Sequence, residues 1–335
     1  MSDTSVQNFK DLYRKHSSDD NTAQLGWLWH YTTADGLMGI IKDDPNEHKK
    51  LHFWFTRSDC LNDPSEGKHI LELFGQVSTE LLSKNLISHS FYEAIKDAEI
   101  PNTQFINFPV PPREEYVHES VLDVAPCHAY ICSFSLKEDS LDMWRYYSKG
   151  NGGYGIKCFS TLFDIIKEYE HSDYDEDATF CSIQSYKVIY DNGEKRQIIE
   201  SIITDTFSAY TNANEEEQNK RQSAKGFIQY ALKTFQFRFK HECYSSEQEY
   251  RFVVYIPYSK PQLLKNELPP ILFRKQNGAP IPYIDLVVEN GDAYLDEVMI
   301  SPFIENENVL ATTSDYLSQC GFNCKVKLSQ LPVRK

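Results

Sequence analysis

Cys243-Tyr244-Ser245-Ser246-Glu247-Gln248-Glu249-Tyr250-Arg251-Phe252-Val253-Val254-Tyr255 decides how the rest of the chain is read. Its second half is rich in aromatic and β-branched residues and runs into Pro257, which predicts a strand from about Tyr250. Side chains two apart on a strand share a face. Tyr250, Phe252 and Val254 are therefore expected to face a core. If the extended geometry begins early enough, Glu247, Glu249 and Arg251 project together on the other side. Such a face is either a solvated strand surface or a carboxylate held in a cleft with Arg251 as its orienting partner.

The chain around this stretch has 335 residues, 41% of them apolar and 13% aromatic, so it is expected to fold around a sizeable core. The net charge of −15 argues against a broad basic surface for duplex nucleic acid and against an anionic membrane surface as partner. No apolar run is long enough to span a bilayer, and Met1 to Lys10 has no signal-peptide core, so a cytoplasmic location is expected. The eight Cys lack a zinc-binding spacing or a disulfide framework and read as reduced, mostly buried thiols.

Residues 1–24 form a polar segment, with a short helix over Asn8 to His16. Residues 25–335 read as one α+β domain with a central split, mixed β-sheet and helices inserted at about 67–98 and 193–240. Strands are expected at Leu25 to Thr33, Leu51 to Thr56, Ala129 to Ser135, Tyr154 to Phe159 and Ser185 to Tyr190. Further strands are expected near Ile281 to Val288, Glu297 to Ile300 and Cys324 to Leu328. Thr32 or Thr33 is the natural cap of a helix starting at Ala34, and Asp139 or Ser140 of one starting at Leu141. The five prolines between residues 101 and 126 predict an irregular crossing segment, and residues 170–178 an acidic loop. Ala224, Phe227, Ile228, Ala231, Leu232, Phe235 and Phe239 form an apolar stripe. Lys220, Arg221, Lys225, Lys233, Arg238 and Lys240 cover the other faces of the same helix.

No phosphate-binding glycine loop, zinc helix or nucleophile elbow is visible. Four polar-aromatic islands stand at strand ends instead. They are His30-Tyr31-Thr32, Leu61-Asn62-Asp63-Pro64-Ser65-Glu66, Met143-Trp144-Arg145-Tyr146-Tyr147 and Glu247-Gln248-Glu249-Tyr250-Arg251. Polar groups beside aromatic surface suit a flat, partly charged ligand. Each island also has an ordinary reading: His30 as a core histidine, Asn62 and Asp63 as a turn, Trp144 and Tyr147 as core.

These islands, in this order, resemble the bacterial domain-of-unknown-function family 2971, as does the closing Ser329-Gln-Leu-Pro-Val-Arg334. The resemblance runs from about Leu28 to Arg334. A more distant resemblance is to the ADP-ribosyltransferase fold, in which NAD lies in a cleft between two small sheets. That resemblance implies an NAD-dependent transferase that passes ADP-ribose to a protein or nucleic-acid acceptor. It implies a toxin or phage-defence effector, with a partner protein such as an antitoxin. NAD would be a co-substrate, contacted by His30, Tyr31, Thr32, Asn62, Asp63, Trp144, Tyr147 and Arg251. By the same resemblance, His30 would bond the ribose, and Tyr31 or Tyr147 would stack on nicotinamide. Glu249 would stabilise the oxocarbenium-like transition state, and Glu247 would orient or deprotonate the acceptor. The second strand carries Phe53, Trp54 and Phe55 where the His-Tyr-Glu branch has a tyrosine. Two other classes stand beside this one. The first is a non-catalytic module that binds a nucleotide or a partner through the same aromatic cleft. The second is a hydrolase or nuclease using Glu247, Glu249, Asp63 and Glu66 around a metal.

Overall fold

The computed structural model describes residues 9, 12, 15–16, 25–61, 67–100, 127–148, 152–164, 183–257, 269–276 and 278–333. In chain order the elements are β1 (Trp27–Thr32), α1 (Ala34–Ile40), β2 (Leu51–Arg57), α2 (His69–Ser83) and α3 (His89–Ile95). Then come β3 (Cys127–Ser135), α4 (Leu141–Tyr147), β4 (Tyr154–Phe159), β5 (Ile183–Lys187), α5 (Asn192–Asn212) and α6 (Glu217–Phe235). The last are β6 (Glu249–Pro257), β7 (Ile271–Gln276), β8 (Ala279–Val288), β9 (Leu295–Ile300), α7 (Val309–Gln319) and β10 (Lys325–Leu328). The chain divides into two compact units: residues 1–19, 62–126 and 188–245, and residues 20–61, 127–187 and 246–335. The two stretches predicted as helical insertions both fall in the first. Most of the Asn8 to His16 helix, the crossing segment 101–126 and the acidic loop 170–178 lie outside the described residues.

The second unit is an α+β structure built on one mixed, open sheet. Its strand order is β10-β9-β4-β1-β3-β2-β8-β7, with β6 on the other edge of β3 and β5 beyond β6. All the pairs are antiparallel except β10 on β9. That parallel pair is joined through α7. β3 is the branch point. β6 pairs with it along its whole length, from Cys127↔Pro257 to Ser135↔Glu249. On the opposite edge β2 pairs only at Thr56↔Ile131 and Arg57↔Tyr130, and β1 only at Trp29↔Ser135. β1 and β2 thus leave the same edge of β3 as the arms of a fork.

α1 connects the two arms. Thr33 caps it, its Oγ1 accepting from the Gly36 N–H at 3.1 Å. Gly36 is required by a close approach, since a Cβ there would lie 1.8 Å from Thr32 Oγ1. One face of the sheet packs into the main core, with Phe53, Phe55, Tyr130, Phe134, Ile156, Tyr250, Phe252 and Val254 buried together. The other face carries a smaller cluster of Trp29, Tyr31, Met143, Trp144 and Met299 under α4.

β7 departs from the sequence expectation. No strand is expected between Pro257 and Ile281, but residues 271–276 pair with Ala279–Ile284 as a hairpin closing at Gly278, whose φ is +83°. Pro280 and Pro282 precede the β8 residues that pair with β2, so they remove no donor from that ladder.

The first unit is helical among its described residues. Ser88 caps α3 by accepting from the Phe91 N–H at 3.2 Å, and Asp191 caps α5 by accepting from the Glu194 N–H at 2.7 Å. The apolar stripe of α6 is buried with Ile199, Ile202 and Ile203 of α5 and with Phe74 and Val77 of α2. No described helix is long and apolar enough to cross a membrane.

Candidate functional site

The residues of Glu247 to Arg251 come together, though not all through the strand. Extended geometry begins at Glu249. Glu247 ends a 3₁₀ helix over Glu242–Glu247, and Gln248 turns the chain with φ +42°. Two bonds hold that turn: Ser135 Oγ donates to the Glu247 carbonyl at 2.7 Å, and the Leu136 N–H donates to the Gln248 carbonyl at 2.9 Å. Glu247 is thus brought beside the strand by a left-handed kink. Its side chain is 5% exposed, and Tyr147 Oη lies 3.5 Å from its Oε2.

Glu249 and Arg251 share a strand face and pair directly. Arg251 donates from Nε at 2.7 Å and from Nη2 at 2.5 Å, both to Glu249 Oε2. Glu249 is 3% exposed and Arg251 1%. A carboxylate in this setting has its charge matched by a fixed guanidinium and is withdrawn from water.

α4 supplies the neighbouring aromatic wall. Trp144 is fully buried and meets the edge of Tyr31, with ring centroids 4.8 Å apart. Tyr31 Oη donates to the Lys137 carbonyl at 2.8 Å and accepts from the Ser140 N–H at 3.2 Å. Burial raises its phenol above the ordinary tyrosine range, so it stays protonated. Asp139, with φ +45°, gathers three donors: Trp144 Nε1 at 2.8 Å, Ser329 Oγ at 2.6 Å and the Gln330 N–H at 3.0 Å. It therefore anchors the closing motif to the start of α4, whereas Ser140, at the N-cap position, makes no side-chain capping bond.

His30 is placed elsewhere. Directly paired residues share a face. Trp29 pairs with Ser135, and Ser135 with Glu249, so Trp29 and Tyr31 stand on the Glu249 face. His30, between them in sequence, stands on the other. Its ring packs at 5.6 Å from Phe53 and 5.2 Å from Phe134, both in the main core. Nδ1 lies 3.1 Å from the Ser133 carbonyl, on the β3 edge left open by the fork. Nδ1 is therefore the protonated nitrogen of the neutral ring. Burial, helped by Arg274, lowers its pKa from 6.5 to about 4 against the opposing effect of that hydrogen bond. The expectation that His30 and Glu249 face one hollow is thus overturned, because the two are one residue out of phase across the β1–β3–β6 register.

Of the residues expected from sequence, Tyr31, Trp144, Tyr147, Glu247, Glu249 and Arg251 gather on one sheet face. Thr32 stands with His30 on the other, against Gly36. Asn62 and Asp63 lie outside the described residues, as does Glu66. No group of three metal-ligating side chains occurs among the described residues. Sequence reasoning passed over Asp139 as more than a cap. It also passed over Arg274 on β7, which the Asn277-Gly278 turn signal could have exposed.

No curated protein and no solved structure matches the chain. Residues 143–252, about a third of the chain, match a family described as protein of unknown function (DUF2971). The matched span begins on α4 at Met143 and ends on β6 at Phe252, so it contains the third and fourth islands. The likeness to the DUF2971 family is thus carried by residues 143–252, from α4 to β6.

Proposed function

We propose that the protein is a non-catalytic binding module, a regulatory unit that holds a nucleotide of the NAD or ADP-ribose kind without breaking it. One observation carries this reading: the Glu249 carboxylate is paired with Arg251 through two donors at 2.5–2.7 Å and is 3% exposed. A transferase needs that carboxylate aimed at a developing positive charge on the substrate. Here the charge it meets is the protein's own guanidinium, and His30 stands on the far side of the sheet. Glu247, Glu249 and Arg251 then act as a fixed polar girder beside a buried aromatic wall, and Tyr147, half-buried at the end of α4, supports binding as the stacking surface.

Calorimetry with NAD and with ADP-ribose tests this, followed by assay of the recovered NAD. Binding of either ligand with NAD returned intact is expected. Release of nicotinamide by the wild-type protein, abolished in a folded Glu249→Gln variant, overturns the reading in favour of transfer.

A further inference from the structure

Arg274 sits in an unusual environment for a half-buried cation. It reaches from β7 at the sheet edge across β8 to β2, where Nη2 donates to Thr56 Oγ1 at 2.8 Å. Its guanidinium carbon lies 5.6 Å from the Trp54 ring centre and 5.9 Å from that of Tyr283, and the two rings are themselves 4.9 Å apart. The register puts Thr56, Trp54 and Tyr283 on one face of β2 and β8. Two aromatic faces and a hydroxyl orient the group, but none of them neutralises it.

Among the described residues, no carboxylate lies within ion-pair distance of Arg274. Its Nε–H is buried with no acceptor among the described residues. A buried guanidinium is normally paired, because leaving its charge unmatched in a poorly solvated place is costly. The situation stands out in a chain with 49 acidic and 34 basic residues, where acidic partners are plentiful. Arg251 shows the usual solution within the same sheet. The unmatched charge also reaches the fork: desolvation lowers the Arg274 pKa, and Arg274 in turn helps to depress that of His30.

A guanidinium offers a planar fork of donors that matches an anionic group through two oxygens at once. The hydroxyl of Thr56 can turn to donate to the same anion. We propose that Arg274, held by Thr56 beside Trp54 and Tyr283, is the anchoring site for a phosphoryl group of the bound ligand. This rests on the reading of the protein as a nucleotide-binding module and deepens it by naming where the charged part of the ligand is held. The anion supplies the countercharge that no described residue supplies.

The test uses inorganic pyrophosphate with the full chain at about 0.15 M salt, where weak surface attraction is screened. Wild type is expected to bind pyrophosphate, and Arg274→Gln to bind it at least about tenfold more weakly. In wild-type protein the Arg274 Nε–H resonance is expected to move on addition of pyrophosphate, and the His30 pKa to rise. The His30 response is expected to vanish in Arg274→Gln. Unfolding followed by tryptophan fluorescence verifies that the variant is folded. If it is not, the Arg274 resonance in wild type decides alone. The inference is overturned by no pyrophosphate binding in wild type, by an unmoved Arg274 resonance, or by equal binding in folded Arg274→Gln. Pyrophosphate binding at Arg274 without any ADP-ribose binding upholds this site and removes the nucleotide reading. ADP-ribose binding untouched by Arg274→Gln does the reverse.

Discussion

Replacing Arg251 by Met removes the cation from a carboxylate that is 3% exposed and accepts both its Nε and its Nη2. A buried pair broken from one side leaves an uncompensated charge, which costs about 3–5 kcal/mol. The same change in an exposed pair costs about 0–1 kcal/mol. The magnitude therefore separates a buried girder from a solvated strand face. Replacing Glu249 by Leu alone strands the guanidinium and is expected to cost a similar amount. Combining Glu249→Leu with Arg251→Met removes both charges, and the double variant should fall short of the summed losses by about 2 kcal/mol or more. Denaturant unfolding read by tryptophan fluorescence is the appropriate assay, since Trp27, Trp29, Trp54 and Trp144 all belong to the sheet unit. A loss below about 1 kcal/mol for Arg251→Met, or strict additivity in the double variant, would refute the assignment of this pair to the interior.

Three further outcomes are expected. Thr33→Ala loses the cap on the Gly36 N–H and should destabilise the sheet unit by about 1 kcal/mol, with Thr33→Ser retaining most of it, as measured by the same unfolding curves. Asp139→Ala frees Trp144 Nε1, Ser329 and Gln330 together, so hydrogen exchange at the Gln330 amide should accelerate at least about tenfold, while Asp139→Asn keeps part of the protection. For His30 the folded pKa is about 4 against 6.5 unfolded, so the unfolded state binds the extra proton in between. Stability should fall as pH drops from above 6.5, with the loss complete below about 4, and the slope in that window should flatten in His30→Gln.

The sheet was legible where the local pattern agreed with the tertiary one. Tyr250, Phe252 and Val254 alternate with Glu249 and Arg251, and the two sets take opposite faces of β6, both of them buried. The α6 stripe has helical spacing, and its residues are buried accordingly. β7 was not legible, because Pro269-Pro270 before it and Pro280 and Pro282 after it suggested a link. Position spared Pro280 and Pro282: neither lies in the part of β8 that pairs with β2. The site was legible as a set of residues but not as a geometry. Five contiguous residues brought Glu247, Glu249 and Arg251 together, yet the kink at Gln248 that delivers Glu247 depends on Ser135 and Leu136, more than a hundred residues away. Phase was the larger loss. Whether His30 faces Glu249 depends on the single Trp29↔Ser135 pairing, since a shift of one residue exchanges the two faces of a strand. Nothing local to His30-Tyr31-Thr32 sets that register.

The central claim is that Glu249 and Arg251 hold the fold and do not touch the ligand. The affinity of the Glu249→Leu/Arg251→Met double variant for ADP-ribose tests it most directly, by calorimetry at a temperature where the variant is folded. The account predicts a dissociation constant within about twofold of wild type. A loss of about tenfold or more, with unfolding showing an intact sheet unit, would contradict it.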